Sequence, residues 1–265
     1  MGKAESARLW RNRRYLRYRA ARVVSLLGSA LSGIAYPLLV LHLHGTAVEA
    51  GGVTTCWLTA KAVCRLPGGH LADRVDRRTL MIIMDVVRLA VVGSIPITVS
   101  LGVIVYAQII AVAVIEGATA AAFGPASTAL LRDLVPAERL SRALGHSQGI
   151  YGATALLGPT LGGLCYGLNP LLPFILDAAS YGVSAILLVD SPAVRLPRRS
   201  PGDTDRSATD RRATAGLRWL WRHPTVLRVA IFGGVANLTA AAMPLALVVV
   251  LRERGTSSEI GRAHV

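Results

Sequence analysis

The chain has 265 residues, of which 52% are hydrophobic, and a formal net charge of +14. Its mean hydropathy is +0.48. Strong positive charge alone would suit a nucleic-acid binder, but here the basic residues are separated by apolar runs of about 20 residues, long enough to cross a bilayer as helix. Aromatic residues make up only 5% of the chain, which leaves few platforms for stacking bases. Apolar runs with arginines gathered between them describe a multi-pass membrane protein. Cys56, Cys64 and Cys165 all fall within apolar runs and read as small core hydrophobes. No Cys/His spacing suggests zinc, and no cofactor is expected. The first apolar run is too long for a cleaved signal, and more follow it.

In chain order, residues 1–22 form a basic tail with Trp10, Tyr15, Leu16 and Tyr18 among the arginines. This tail is expected to be disordered or to lie as an amphipathic helix on an anionic leaflet. Its start also matches the M-G-x-x-x-[ST] myristoylation pattern, although one acyl chain adds little to a protein with several spans. Residues 23–189 are expected to form a bundle of six spans, over about 23–43, 52–71, 80–101, 103–123, 145–166 and 171–189. The fourth is expected to stop or kink at Phe123-Gly124-Pro125, and 130–144 to be a polar connection. Residues 190–222 read as a linker, mobile over 190–214 and interfacial over 215–222, where Trp219 and Trp221 lie. Residues 223–254 hold a seventh span, over about 226–251.

The tail, the turn at 74–78, the connection at 132–142 and the linker carry nearly all the Lys and Arg. The turns near 44–49, 100–102 and 167–169 carry none. By the positive-inside rule the amino terminus is cytoplasmic.

Two motifs sharpen this reading. Gly69-His70-Leu71-Ala72-Asp73-Arg74-Val75-Asp76-Arg77-Arg78 has the pattern G-x-x-x-D-R-x-x-R-R between two apolar segments. It resembles the loop between helices two and three of the major facilitator superfamily. Gly145-x8-Thr154-x3-Gly158-Pro159-x2-Gly162-Gly163 is similar to the fifth-helix motif of drug:proton antiporters, with Thr154 in place of the middle glycine. Together they resemble the macrolide- and enterobactin-exporter-like branch. The implied fold is all-α: the six-helix amino-terminal half of a facilitator plus a seventh transmembrane helix.

The resemblance also assigns roles. Asp73 would meet the amino end of a helix in the second half, and Arg74, Arg77 and Arg78 would pair with acids on neighbouring helices, latching the cytoplasmic side. Gly69 would let helices approach closely, and Asp76 stands where the family has a small residue. Pro159 would bend the fifth helix in a way that favours export, although a plain packing seam of small residues explains the same pattern.

On the fourth helix Ala113 stands where other antiporters carry arginine, and Glu116 is the ionisable group. Intramembrane charges mark functional sites unless they are structural pairs. Glu116 therefore reads as a proton carrier or cation contact, with Lys61 or Arg65 as partner, or as half of a structural ion pair. Asp177 lies mid-span on the sixth helix with no readable partner. Asp85 and Arg88, at i and i+3, read as a structural pair, and Asp85 could alternatively reach Arg77 and Arg78.

The full protein would thus export an amphiphilic drug, macrolide or siderophore-like compound by alternating access, using the proton gradient. Its partners would be the bilayer, the substrate and a second half. The alternatives are a facilitator of lipid or metabolite movement without proton antiport, and a fragment that does not transport. A membrane enzyme is disfavoured by the absence of H-E-x-x-H and G-x-S-x-G motifs. The chain is expected to be truncated over 255–265. Its last six residues, 260–265, back-translate to ATCGGAAGAGCACACGTC, which resembles a common sequencing-adapter sequence.

Overall fold

The computed structural model describes residues 13–189, 221–229 and 231–236. All elements over 13–189 are helices: α1 (Arg13–His42), α2 (Ala47–Val63), α3 (Arg65–Arg74), α4 (Arg77–Ser100), α5 (Tyr106–Leu134), α6 (Ala137–Leu168) and α7 (Leu172–Val189). Four of these, α1, α4, α5 and α7, are long and apolar enough to cross a membrane. α6 is longer than any of them at 32 residues, but glycine, serine and threonine dilute its apolar content. α2 and α3 are separated only by Cys64, so the second expected span is present as a broken helix. Residues 224–229 and 231–236 are helical within a separate unit. The tail before residue 13, the 190–214 linker, most of the 215–222 stretch, the rest of the seventh expected span and the 255–265 end lie outside the described residues.

The bundle is built on α1 and α5. α1 packs along α7, α6 and α2, while α5 packs along α2, α3 and α4, and α7 also lies against α4. Small residues set these distances. A Cβ on Gly162 would come within 2.5 Å of the Leu31 carbonyl oxygen, and one on Gly68 within 2.9 Å of the Ala122 backbone. Close backbone approach at small residues is how helices associate where lipid removes the hydrophobic drive.

Two apolar clusters fill the interior. Tyr36, Leu39, Val53, Val92, Ile95, Ile109 and Phe174 belong to one, towards the charge-poor turns. Tyr15, Tyr18, Leu80, Met81, Phe123, Leu131 and Leu188 belong to the other, towards the basic turns. The outside is also apolar: Val86, Ile97, Leu156, Leu164, Leu168 and Ile186 are all exposed. A continuous apolar exterior of this kind belongs against lipid or a partner.

The ends of the helices differ from the sequence expectation in three places. Helix α1 already includes Arg13–Arg22, which the tail was expected to contain. Tyr15 and Tyr18 are buried, and the Tyr18 hydroxyl donates to the Ser127 carbonyl at 2.9 Å. These aromatic anchors hold the first turns against α5. Helix α5 runs through Pro125 to Leu134, because a bundle tolerates the lost hydrogen bond. The expected polar connection at 130–144 is instead two helix ends joined at Val135-Pro136. Leu130, Leu131, Val135 and Ala143 are buried there, while Arg132, Asp133, Glu138 and Arg142 face outward.

Candidate functional site: a buried polar core and a basic hairpin

Polar side chains recur at helical spacing on four helices. Ser25, Ser29, Ser32 and Tyr36 lie at i, i+4, i+7 and i+11 on α1, and Asp177, Tyr181 and Ser184 at i, i+4 and i+7 on α7. Asp85 and Arg88 lie at i and i+3 on α4, and Glu116 and Thr119 at the same spacing on α5. Such spacing puts each set on one helix face. The fold turns these four faces inward on one another.

Glu116, 5% exposed, accepts a hydrogen bond from the Tyr36 hydroxyl at 2.8 Å. Its other oxygen lies 3.3 Å from the Tyr181 hydroxyl. That hydroxyl lies 2.8 Å from Ser29 Oγ. Asp177, fully buried, accepts from Ser32 Oγ at 2.5 Å, while its second oxygen has no hydrogen-bond partner. Asp85 accepts from Ser184 Oγ at 2.6 Å. Arg88 donates through Nε to Thr119 Oγ1 at 3.0 Å, and one of its terminal nitrogens lies 3.9 Å from Asp85. Its guanidinium stacks 4.8 Å from the Phe123 ring centre and 5.4 Å from that of Tyr181. Aromatic faces attract a desolvated guanidinium. Arg88 thus stands among three carboxyls, the Arg22 guanidinium of α1 lies over the same Phe123 ring at 5.1 Å, and serine, threonine and tyrosine hydroxyls meet most of the remaining demand.

The expected pairing of Glu116 with Lys61 or Arg65 does not form. Gly117, not Glu116, faces α2: a Cβ there would meet the Trp57 carbonyl oxygen and the Lys61 amide nitrogen. One residue earlier, about 100° around the helix, Glu116 points to α1 and α7. The Lys61 ammonium instead sits 4.4 Å from the Trp57 ring centre, and Arg65 is exposed. Asp85 does not reach Arg77 or Arg78. Its partners are Ser184 and Arg88, because the buried face of α4 turns it inward. Ala113, 1% exposed, belongs to the apolar core.

The residues missed by sequence reading are Tyr36, Tyr181, Ser29, Ser32, Thr119 and Ser184. Their regular spacing within apolar helices was the available signal.

At the basic end, the Asp76 side chain accepts from the Thr79 backbone N–H at 2.9 Å and from its hydroxyl at 2.8 Å. The acid that departs from the loop motif is thus the N-cap of α4. Arg77 pairs with Asp133 at 2.5 Å and lies 3.4 Å from the Ala129 carbonyl. Arg78 donates to the Leu188 carbonyl at 2.6 Å and to that of Val189. It therefore caps the last described turn of α7, a favourable place for a cation, and pairs with no acid among the described residues. Asp73 and Arg74 are exposed, and their side chains make no hydrogen bond or ion pair among the described residues. Gly69 meets nothing within 4 Å, so within this bundle Gly68 supplies the close approach expected of it.

In the α6 motif, Gly158 packs on Ala30 and Gly162 on Leu31 and Ile34. Thr154 is buried and bonds back to its own helix at the Ile150 and Tyr151 carbonyls. Pro159 lies within the helix. Gly145 and Gly163 face open space, so the smooth face against α1 consists of Gly158 and Gly162 without Gly163.

Residues 20–260 match the family model of the Major Facilitator Superfamily. The chain belongs to that superfamily. It is a multi-pass membrane protein of a transporter family, and the helical bundle is the amino-terminal half of that fold. It is 28% identical over 240 residues to the multidrug efflux pump Tap of Mycobacterium tuberculosis, covering 87% of this chain and 55% of that protein. The Tap pump of Mycolicibacterium fortuitum is 26% identical, covering 88% and 59%. The tetracenomycin C resistance and export protein of Streptomyces glaucescens is 28% identical, covering 65% and 32%. The chain spans little more than half the length of the Tap pumps.

Proposed function

We propose that the chain is the first half of an exporter that moves amphiphilic small molecules out across the cell membrane by alternating access, driven by proton antiport. The amino terminus is cytoplasmic in this reading, since the turns rich in arginine share its side. The drug-like substrate class follows the printed functions of the relatives, a multidrug efflux pump and a tetracenomycin C exporter. The energy source is the proton gradient, with no further cofactor, and the partners are the bilayer, the substrate and a second six-helix half.

The observation that carries this reading is Glu116: an acid inside an apolar helix, reached by two tyrosine hydroxyls from two other helices. Intramembrane acids of this kind mark ion pathways. Glu116 is assigned as the proton carrier and Asp177 as a second candidate. Lys61 and Arg65, on the other side of α5, are candidates for substrate or charge contacts. The hairpin serves as the latch. Arg77 and Arg78 tie it to the ends of α5 and α7, leaving Asp73 and Arg74 for the second half, where Asp73 would meet a helix amino terminus.

The test is transport by the full-length protein, expressed from DNA read through beyond codon 265. Inverted vesicles should accumulate a fluorescent amphiphile when a proton gradient is imposed, and Glu116→Gln should abolish the gradient dependence. The 265-residue chain alone should not transport. Gradient-driven transport unchanged by Glu116→Gln would remove the carrier role. A second reading, movement of lipid or metabolite without proton antiport, is favoured by Ala113, buried where other antiporters carry arginine. Efflux that persists after the gradient is collapsed would select it.

A further inference from the structure

We infer that Tyr181 and Ser29 form a hydroxyl wire that reads the proton on Glu116 and carries its state to α1. This rests on Glu116 as the proton carrier. Four contacts share these groups: Tyr36 to Glu116 at 2.8 Å, Tyr181 to Glu116 at 3.3 Å, Ser29 to Tyr181 at 2.8 Å, and Ser29 to the Ser25 carbonyl at 2.9 Å. A hydrogen bond needs one hydrogen between its atoms; the contacts at 2.8–2.9 Å have ordinary length and the one at 3.3 Å is long. The hydroxyls of Tyr36, Tyr181 and Ser29 supply one each, which leaves one contact short.

In one arrangement the Ser29 hydrogen goes to the Ser25 carbonyl, which can only accept. The hydrogen between Ser29 and Tyr181 must then belong to Tyr181. The long Tyr181–Glu116 contact, in which Tyr181 donates when Glu116 is ionised, is then filled in this arrangement only by a proton on the Glu116 carboxyl. With a proton on Glu116 all four contacts are satisfied, and the chain of donors runs from Glu116 through Tyr181 and Ser29 to Ser25.

When that proton leaves to water, the Tyr181 hydrogen must turn to the carboxylate. Ser29 then either turns from Ser25 to donate to Tyr181, or loses Tyr181. Either outcome changes a contact of α1, the first along the helix and the second between α1 and α7. The surroundings hold Tyr181 for this role. Arg88 from α4 lies over its ring, and Tyr36 from α1 shares its carboxyl partner. The other charged groups around Glu116 are Asp177 on α7, Asp85 on α4 and Lys61 on α2. Asp177 is held by Ser32 and Asp85 by Ser184, each through one oxygen while its other oxygen has no hydrogen-bond partner, and Lys61 lies over Trp57. Tyr181 is thus a positioning residue, acting through Glu116.

The test uses the full 265-residue chain in lipid nanodiscs and infrared difference spectra between acid and alkaline pH. The native chain should show the C=O stretch of a protonated carboxyl that Glu116→Gln deletes. Tyr181→Phe should shift that band by removing its hydrogen-bond partner, and Ser29→Ala should shift it less in the same direction. The amide band of the same spectra reports helix content. Ser29→Ala removes one hydroxyl, so it keeps the test open should Tyr181→Phe disturb the fold. A Glu116 band at the same position in both variants overturns the wire and leaves Glu116 as a carrier. No band lost in Glu116→Gln overturns both.

Discussion

Glu116 and Gly117 are neighbours in the chain and serve different helices. Glu116 looks to α1 and α7, and Gly117 lets α2 come against α5. A methyl group at 117 would press on the Trp57 carbonyl and the Lys61 amide, which are backbone and cannot rotate away. Overpacking of this kind costs roughly 1–3 kcal/mol. Gly117→Ala should therefore lower the thermal midpoint of the purified protein, whereas Gly69→Ala, with open space around it, should leave that midpoint unchanged. Arg88 poses the opposite problem. Removing one partner of a buried pair costs about 3–5 kcal/mol, because the other charge is left uncompensated. Arg88→Met should destabilise strongly, and adding Asp85→Asn should recover part of the loss in the same melting assay. At this scale the sequence made the acids and bases legible and their partners illegible. Lys61 and Glu116 carry opposite charges on adjacent helices, and charge alone suggests a pair. What decides is the angle around α5, set by Gly117. Tyr36 and Tyr181 were overlooked because their rings read as apolar, while their hydroxyls do the bonding.

At the level of elements, the helix ends show why boundaries were harder to read than spans. Apolar runs placed the cores of α1, α4, α5 and α7 well, because hydrophobic length is a one-dimensional property. Their ends are set by contacts that composition does not reveal. Tyr18 holds α1 to Ser127, Leu131 and Val135 carry α5 past its proline, and Asp76 starts α4. Losing an N-cap side chain typically costs about 1 kcal/mol when alanine replaces it and only a few tenths with glycine. Asp76→Ala should therefore destabilise more than Asp76→Gly, and hydrogen exchange at the first amides of α4 should report it. The Arg77–Asp133 pair ties two helix ends together. Reversing one charge, Asp133→Arg, should loosen the hairpin, and reversing both with Arg77→Asp should restore much of the loss. Proteolysis within residues 74–77 would measure each.

For the whole molecule, membership of the facilitator family and the all-helical fold were readable from the loop motif, the α6 motif and the alternation of arginine-rich and arginine-free turns. The polar core was not, because it arises only when α1, α4, α5 and α7 turn one face each toward a common centre. In this account the bundle is a set of lipid-facing helices around that centre, with the basic hairpin on one side of the membrane. The most direct measurement is labelling of single cysteines by a membrane-impermeant maleimide, in intact cells and in inverted vesicles, with Cys56, Cys64 and Cys165 first replaced. Arg74→Cys in the hairpin should react only from the cytoplasmic side, and Gly167→Cys at the far end of α6 only from outside. Reaction of both positions from the same side would contradict this topology.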